Sequence, residues 1–350
     1  LAWIFFHVPD GAAGVFHEAY QAGKFRLVNL TTDPTVAFTL WAGLFGSTFL
    51  TLASHGTDQM MAQRMFCCEN ERAARKAIIA SSLSQIVTVL MLAVGIGLWT
   101  FYRHHPLSAA DAAWVAEKVD RIFPIFIVKE LPAGVTGLII AGIFAAAISS
   151  LDSTLAALSQ TSVSTFYRPF IRPNATERHY IKASRGLILI WGVALSGMAV
   201  LCSRIQQYPD LINLALAMTG YTYGALLGAL LVSLSPRKVD ARGMYFGVPL
   251  SVLLIFALNW HGIVGRLVVL AALLILIGLA IWTLRREWAP LATMIVISAL
   301  IFGISWYPLG ADAAGAPRYI TVAWPWNYPL GCLVTVVCGL MMGRKWKPAA

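Results

Sequence analysis

Apolar runs long enough to cross a bilayer recur nine times along this chain, near 36–61, 77–101, 133–163, 185–203, 208–234, 243–261, 266–284, 290–307 and 326–343. A helix needs about 20 such residues to span the hydrocarbon, where each backbone N–H and C=O must be paired within the structure. An all-α, multi-pass membrane protein is the expected fold class. Composition agrees: 58% hydrophobic and 12% charged residues would leave a 350-residue water-soluble globule with too little polar surface.

The formal charge of +10 does not point to nucleic acid, because the basic residues sit in short segments between apolar runs rather than on an aromatic-studded face. Placing the 62–76 loop in the cytoplasm assigns every other loop by alternation. Seventeen of the 26 Lys and Arg residues then fall in the inside segments, and a cytoplasmic C-terminus in a plasma or inner membrane follows. Cys67, Cys68, Cys202, Cys332 and Cys338 lack CxxC spacing and read as free thiols. Two glycosylation-type triplets, at Asn29 and Asn174, are too short to be specific. The opening LAWIFFHVPDG reads as the last turns of a helix with no charged n-region before it, so the chain is expected to begin in mid-protein.

Between the second and third runs, LSAADAAWVAEKVDRIF offers Ser108 as an N-cap, Asp111 in the first turn and apolar residues at helical spacing, which predicts a surface helix. It is either a lid over a pore mouth or a packed connector. Two spans carry interruptions. The first contains GSTFLTLASHGTDQMMAQR and the fifth MTGYTYGALLGALL; glycine and polar groups at membrane depth are tolerated where the backbone opens to a cavity or another helix.

The third span, GIFAAAISSLDSTLAAL, places Ser149, Ser150, Asp152, Ser153 and Thr154 midway along an otherwise apolar helix. An Asp facing lipid there costs about 2.5 to 3.5 kcal/mol. Ala146 and Ser150 lie one turn apart, as do Ser149 and Ser153, so one broad flank offers only oxygen donors, which suits a hard cation. Close packing of small residues is the competing explanation. In the first span, His55 is either a relay or solute ligand or a satisfied structural residue. Snorkelling or a local ion pair accounts for Asp58 as well as chemistry does. No GxSxG elbow, HExxH pair or Walker loop is present, so no catalytic residue is assigned and an enzyme is not expected.

Three stretches carry a resemblance to the sodium:solute symporter family: GLFGSTFLTLASHGTDQMMAQRMF, GVTGLIIAGIFAAAISSLDSTLAALSQTSVSTFY and MTGYTYGALLGALLVSL. The closing VAWPWNYPLGCLVTVVCGLMMG is similar to a final helix of many members. The resemblance implies a LeuT-like core of two inverted five-helix repeats, a fold that general accounts of transporters use as their own example. On that plan residues 1–35 are the end of a preceding helix and an extracellular loop, 36–235 the second repeat, and 236–350 four peripheral transmembrane helices. The chain is expected to be an N-terminally truncated fragment lacking the first repeat.

The family's main sodium site maps onto the Ala146 carbonyl and the Ser149 and Ser150 hydroxyls, with the remaining oxygens expected from the first repeat. Asp152 and Ser153 correspond to a second ion in some relatives. Ser54, His55, Gly56, Gln59 and Ser84 are the solute-cavity candidates. Where sugar-transporting members place sugar-contacting polar side chains, this chain has Ser84 and Leu216, and Ser54 replaces their aromatic gate, so a sugar is not favoured over a carboxylate or an amino acid. The resulting expectation is a sodium-coupled symporter of a small polar solute in the lipid bilayer, with sodium as the coupling ion and no other metal, no cofactor and no nucleic acid. The alternative is a symporter-like membrane sensor domain of a signalling protein; a channel would need a polar stripe through several helices.

Overall fold

In a computed structural model of the chain, residues 1–26, 28–203, 210–237, 239–284, 287–311, 315 and 317–343 are described. Fifteen α-helices occur among them: α1 (Ala2–His7), α2 (Gly11–Gln21), α3 (Thr48–Gly56), α4 (Gln59–Phe66), α5 (Glu71–Ser81), α6 (Gln85–His104), α7 (Ala109–Glu117), α8 (Ile122–Lys129), α9 (Ala133–Ser162), α10 (Glu177–Ser203), α11 (Leu211–Leu234), α12 (Arg242–Asn259), α13 (Ile263–Leu284), α14 (Trp288–Trp306) and α15 (Asn327–Met342). A short antiparallel ribbon, Gly310–Ala311 against Pro317–Arg318, sits between α14 and α15 in the chain. Lys238, Arg285, Arg286, Arg344, Lys345 and Lys347, all of them among the inside-segment basic residues, lie outside the described residues.

Eight helical stretches among the described residues are long and apolar enough to cross a membrane. They match eight of the nine expected runs. The run at 36–61 is not one helix. A wide π-helical turn at Ala42–Ser47 leads into α3, the helix stops at Thr57–Asp58, and α4 begins anew. Thr57 helps to end it, because its N–H and its hydroxyl both donate to the Ala53 carbonyl at 2.9 and 2.7 Å.

The second expected interruption is absent. α11 runs unbroken through its glycines, which admit the neighbouring helix instead of opening the backbone. A Cβ on Gly224 would lie 2.6 Å from the Tyr328 carbonyl oxygen, and one on Gly247 of α12 would lie 2.8 Å from Cys338 Cβ. Both glycines let α15 come to backbone distance.

Two compact units make up the chain, Leu1–Arg26 with Gln63–Leu211 and Leu27–Ala62 with Ile212–Ala350. In the first, Ile4, Val15, Leu98, Phe101 and Phe126 form a buried cluster that joins α1, α2, α6 and α8. The predicted surface helix appears as α7, capped as expected: Ser108 Oγ accepts the Asp111 N–H at 3.2 Å. It is shorter than the pattern implied, because Lys118 is extended and a 3-10 turn at Val119–Arg121 leads into α8. α9 continues past Ser162 as π-helical turns through Ile171 that include Pro169. Proline has no N–H for the ladder and crowds the carbonyl one turn back, and the wider winding accommodates both.

In the second unit, Leu250, Ile255, Val269, Ala280, Met294, Ile301 and Cys338 are the centre of a core built by α12 to α15. Ser251 Oγ donates to the Gly331 carbonyl at 2.9 Å within it. All five cysteines are free, as their spacing predicted.

Candidate functional site

α9 carries the oxygen-rich patch. Ala133–Ser162 is one unbroken α-helix of 30 residues, so Ala146, Ser149, Ser150, Asp152 and Ser153 share two successive turns. Two of the hydroxyls are spent locally: Ser153 Oγ donates to the Ser149 carbonyl at 3.1 Å and Thr154 Oγ1 to the Ser150 carbonyl at 2.9 Å. No such back-bond engages the Ser149 or Ser150 hydroxyl among the described residues. Both stay available as oxygen donors one residue apart, about 100° around the helix. The Ala146 carbonyl, with a lone pair beyond its helical bond, lies one turn before Ser150. Ala146, Ser149, Ser150 and Asp152 are exposed and Ser153 is half-buried. Such a set of hydroxyl, carbonyl and carboxylate oxygens provides hard ligands and no soft ones.

The solute-cavity candidates divide. Ser54, His55, Gly56 and Gln59 lie together at the break between α3 and α4, in the second unit. Ser84 lies in the first unit, in a 3-10 turn at Ser82–Ser84, exposed, with its hydroxyl donated to the Ser81 carbonyl at 2.6 Å. The His55 ring is held by its own helix: Nδ1 lies 3.0 Å from the Thr51 carbonyl oxygen, to which it donates, and 3.1 Å from Ser54 Oγ. Ser54 Oγ also donates to that carbonyl, at 3.1 Å. These bonds engage Nδ1 of the ring within its own helix. Leu216 sits on α11, where its carbonyl accepts the Thr219 and Tyr328 hydroxyls at 2.9 and 2.8 Å.

Asp58 differs from expectation. It neither snorkels nor forms an ion pair among the described residues. Its Oδ1 accepts the Met60 N–H at 2.8 Å and lies 3.4 Å from the Met61 N–H, capping α4, while Oδ2 accepts the Tyr223 hydroxyl at 2.5 Å. An Asp side chain at a helix N-terminus satisfies backbone amides that have no intrahelical acceptor. The cap was legible in sequence as an Asp directly before QMMAQR. Tyr223, 165 residues away, left no local signal.

The family model of the sodium:solute symporter family matches residues 12–250 of this chain. Among curated proteins, the chain is similar to the sodium-dependent multivitamin transporter of Oryctolagus cuniculus, 27% identical over 254 residues that cover 72% of this chain and 39% of that protein. It is similar to sodium-coupled monocarboxylate transporter 1 of Homo sapiens, at 26% over 262 residues, 73% of this chain and 41% of the other. A third, the sodium/sialic acid symporter SiaT of Proteus mirabilis (strain HI4320), is 24% identical over 278 residues, 77% and 55% of the two chains. The chain thus spans about half the length of these relatives, or less. A solved structure of a Na+-coupled sialic acid symporter, substrate-bound and outward-open, aligns with a TM-score of 0.65 and 20% identity over 99% of this chain and 60% of that one. That likeness establishes the fold as the LeuT-like, all-α, multi-pass membrane architecture.

Proposed function

This chain belongs to the sodium:solute symporter family, and from that premise we propose that it serves sodium-coupled secondary active transport of a small polar solute. The observation that carries the reading is the oxygen patch of α9, with two hydroxyls left free midway along an apolar helix. Sodium is held by the Ala146 carbonyl and the Ser149 and Ser150 hydroxyls, with Asp152 and Ser153 contributing to a second ion. Residues 36–235 act as a five-helix repeat of the transport core and residues 236–350 as four peripheral helices, with the C-terminus in the cytoplasm.

Sodium entering down its gradient releases about 2.3 kcal/mol per charge per 100 mV from the potential alone. Coupling requires that sodium favour the state that accepts solute, because a ligand shifts an equilibrium only by its differential affinity for the two states. α9 is suited to such coupling, since ion oxygens gathered on one helix convert binding into a preferred position of that helix.

The solute is a small carboxylate. Monocarboxylate and sialic acid are named in two of the similar transporters, and the resemblance to sugar-transporting members implies Ser84 and Leu216 at positions where those members carry polar sugar contacts. Uptake of radiolabelled lactate and of sialic acid into proteoliposomes holding the full-length protein tests the reading, with glucose as the neutral comparison. Uptake of an acid in a sodium gradient that collapses when choline replaces sodium is the expected result. Equal uptake in choline overturns sodium coupling, and preferential uptake of glucose overturns the carboxylate assignment.

A further inference from the structure

The hydrogen bond from Tyr223 to Asp58 ties the break in the first span to α11, within one compact unit. It is one contact on a continuous face. Tyr223, Leu227 and Leu230 recur at i, i+4 and i+7 and so share one side of α11. On that side Ala53 is fully buried in a cluster with Leu227 and Cys332, which Phe49, Tyr223 and Leu230 also join, and a Cβ on Gly56 would stand 3.0 Å from Leu230 Cδ2. The end of α3 therefore packs on α11 by apolar contact up to Gly56, and then the backbone opens.

Past that point the Thr57 N–H and hydroxyl still close onto the Ala53 carbonyl, and Asp58 makes the side-chain link from the break to α11. One carboxylate oxygen faces the first amides of α4 and the other faces the Tyr223 hydroxyl, so the side chain sets both where α4 begins and which way it leaves the break. Gln59, a solute-cavity candidate, is the first residue of α4. We infer that Asp58 and Tyr223 are a positioning pair that fixes the start of α4, and with it Gln59, for solute binding. This rests on the reading of Ser54–Gln59 as part of the solute cavity.

Hydrogen exchange of the full-length protein in nanodiscs tests the pair without any solute. Asp58→Ala removes the cap and the acceptor; Tyr223→Phe removes only the phenol oxygen; Asp58→Asn keeps one oxygen for the Met60 amide, since Asn caps helices as well as Asp does, and turns its NH2 to the Tyr223 oxygen, which then accepts. Exchange of the Met60 and Met61 amides should rise about tenfold in Asp58→Ala and severalfold in Tyr223→Phe, and stay within about twofold of wild type in Asp58→Asn. Lactate uptake by Tyr223→Phe should show a KM raised severalfold with the maximal rate retained, and Asp58→Asn should rescue the Asp58→Ala defect. Unchanged exchange in Tyr223→Phe overturns the pair even where Asp58→Ala fails to insert. Asn behaving like Ala at position 58 overturns it as well, because charge rather than position would then be the requirement. Wild-type protein that takes up no acid would bear on the proposed function, while the exchange pattern still reads the pair.

Discussion

Lys129 grips both carboxylate oxygens of Asp111, at 2.7 and 2.6 Å, across 18 residues of sequence. Ser108 Oγ donates to the same carboxylate at 2.6 Å, so α7 is fastened to the end of α8 at its first turn. These hydrogen bonds, that of Lys129 foremost, hold the Asp111 carboxyl below its ordinary value of 3.8. A depressed folded pKa means the unfolded segment binds protons more readily, so the fastening is complete above the ordinary value and fades as pH falls through the folded one. Exchange protection across 109–129, corrected for intrinsic rate, should be flat from neutral pH to about 5 and drop only below the usual carboxylate range. Asp111→Asn should show the acid-like pattern already at neutral pH. Loss of protection between pH 6 and 7 would point instead to a histidine and exclude Asp111.

Ser149 and Ser150 keep their hydroxyls free while Ser153 and Thr154 return theirs to the helix. Replacing either serine by alanine should raise the half-saturating sodium concentration by about tenfold or more, the cost of losing one hydrogen-bond-strength ligand to a charge. The double replacement should abolish sodium-stimulated uptake with membrane insertion intact. Flow dialysis with radioactive sodium on the purified variants measures the first, and proteoliposome uptake the second. Undiminished sodium dependence in the double variant would remove these residues from the ion site.

The α11–α15 contact is set by glycine. A methyl group at Gly224 meets only backbone, with the Tyr328 oxygen at 2.6 Å and Cys332 N and Gly331 Cα at 3.1 Å, and no side chain there can swing aside. Gly224→Ala should cost about 1 to 3 kcal/mol. Gly278→Ala on α13, where nothing lies within 4 Å, should change stability by no more than about 0.5 kcal/mol. Thermal unfolding read by a thiol-reactive dye suits the comparison, because Cys332 and Cys338 are buried until the core opens. Equal melting of the two variants would show that α15 does not need this approach distance.

What the sequence made legible follows from how local the physics is. Apolar length predicts the crossing helices, and a serine three residues before an acid predicts the cap of α7, since both depend on neighbours within a turn or a single bilayer crossing. Helical spacing puts Ala146, Ser149, Ser150 and Ser153 on neighbouring turns of α9 for the same reason, whereas the choice of Ala146, Ser149 and Ser150 as an ion set is what the family resemblance implies. Glycines in α11 left a cavity and another helix both open, because glycine is equally suited to opening a backbone and to admitting another one, and only the arrival of α15 decides between them. Asp58 was half legible. Its capping role is local, whereas its bond to Tyr223 depends on how α11 packs, which no spacing near residue 58 encodes.

α9 is tied to α10 by polar contacts at Ser159 and at Ser162, one turn apart on α9. Buried Ser159 donates to the Ser184 carbonyl at 2.8 Å, and the Trp191 indole N–H donates to Ser162 Oγ at 3.0 Å. Hydrogen bonds direct a helix more sharply than apolar contact does, so these two fix the rotation of α9 about its axis and thus the direction in which Ser149 and Ser150 present their oxygens. Each bond contributes about 1 kcal/mol, and Ser159→Ala with Trp191→Phe should lower the melting temperature by several degrees. The same double variant should raise the half-saturating sodium concentration about threefold, on the order of the 0.6 kcal/mol expected for ligands displaced rather than removed, and leave the maximal uptake rate in place. A lower melting temperature with unaltered sodium dependence would mean that the rotation of α9 is set by other contacts, and that the Ser159 and Trp191 bonds stabilise the helix pair without aiming the ion ligands.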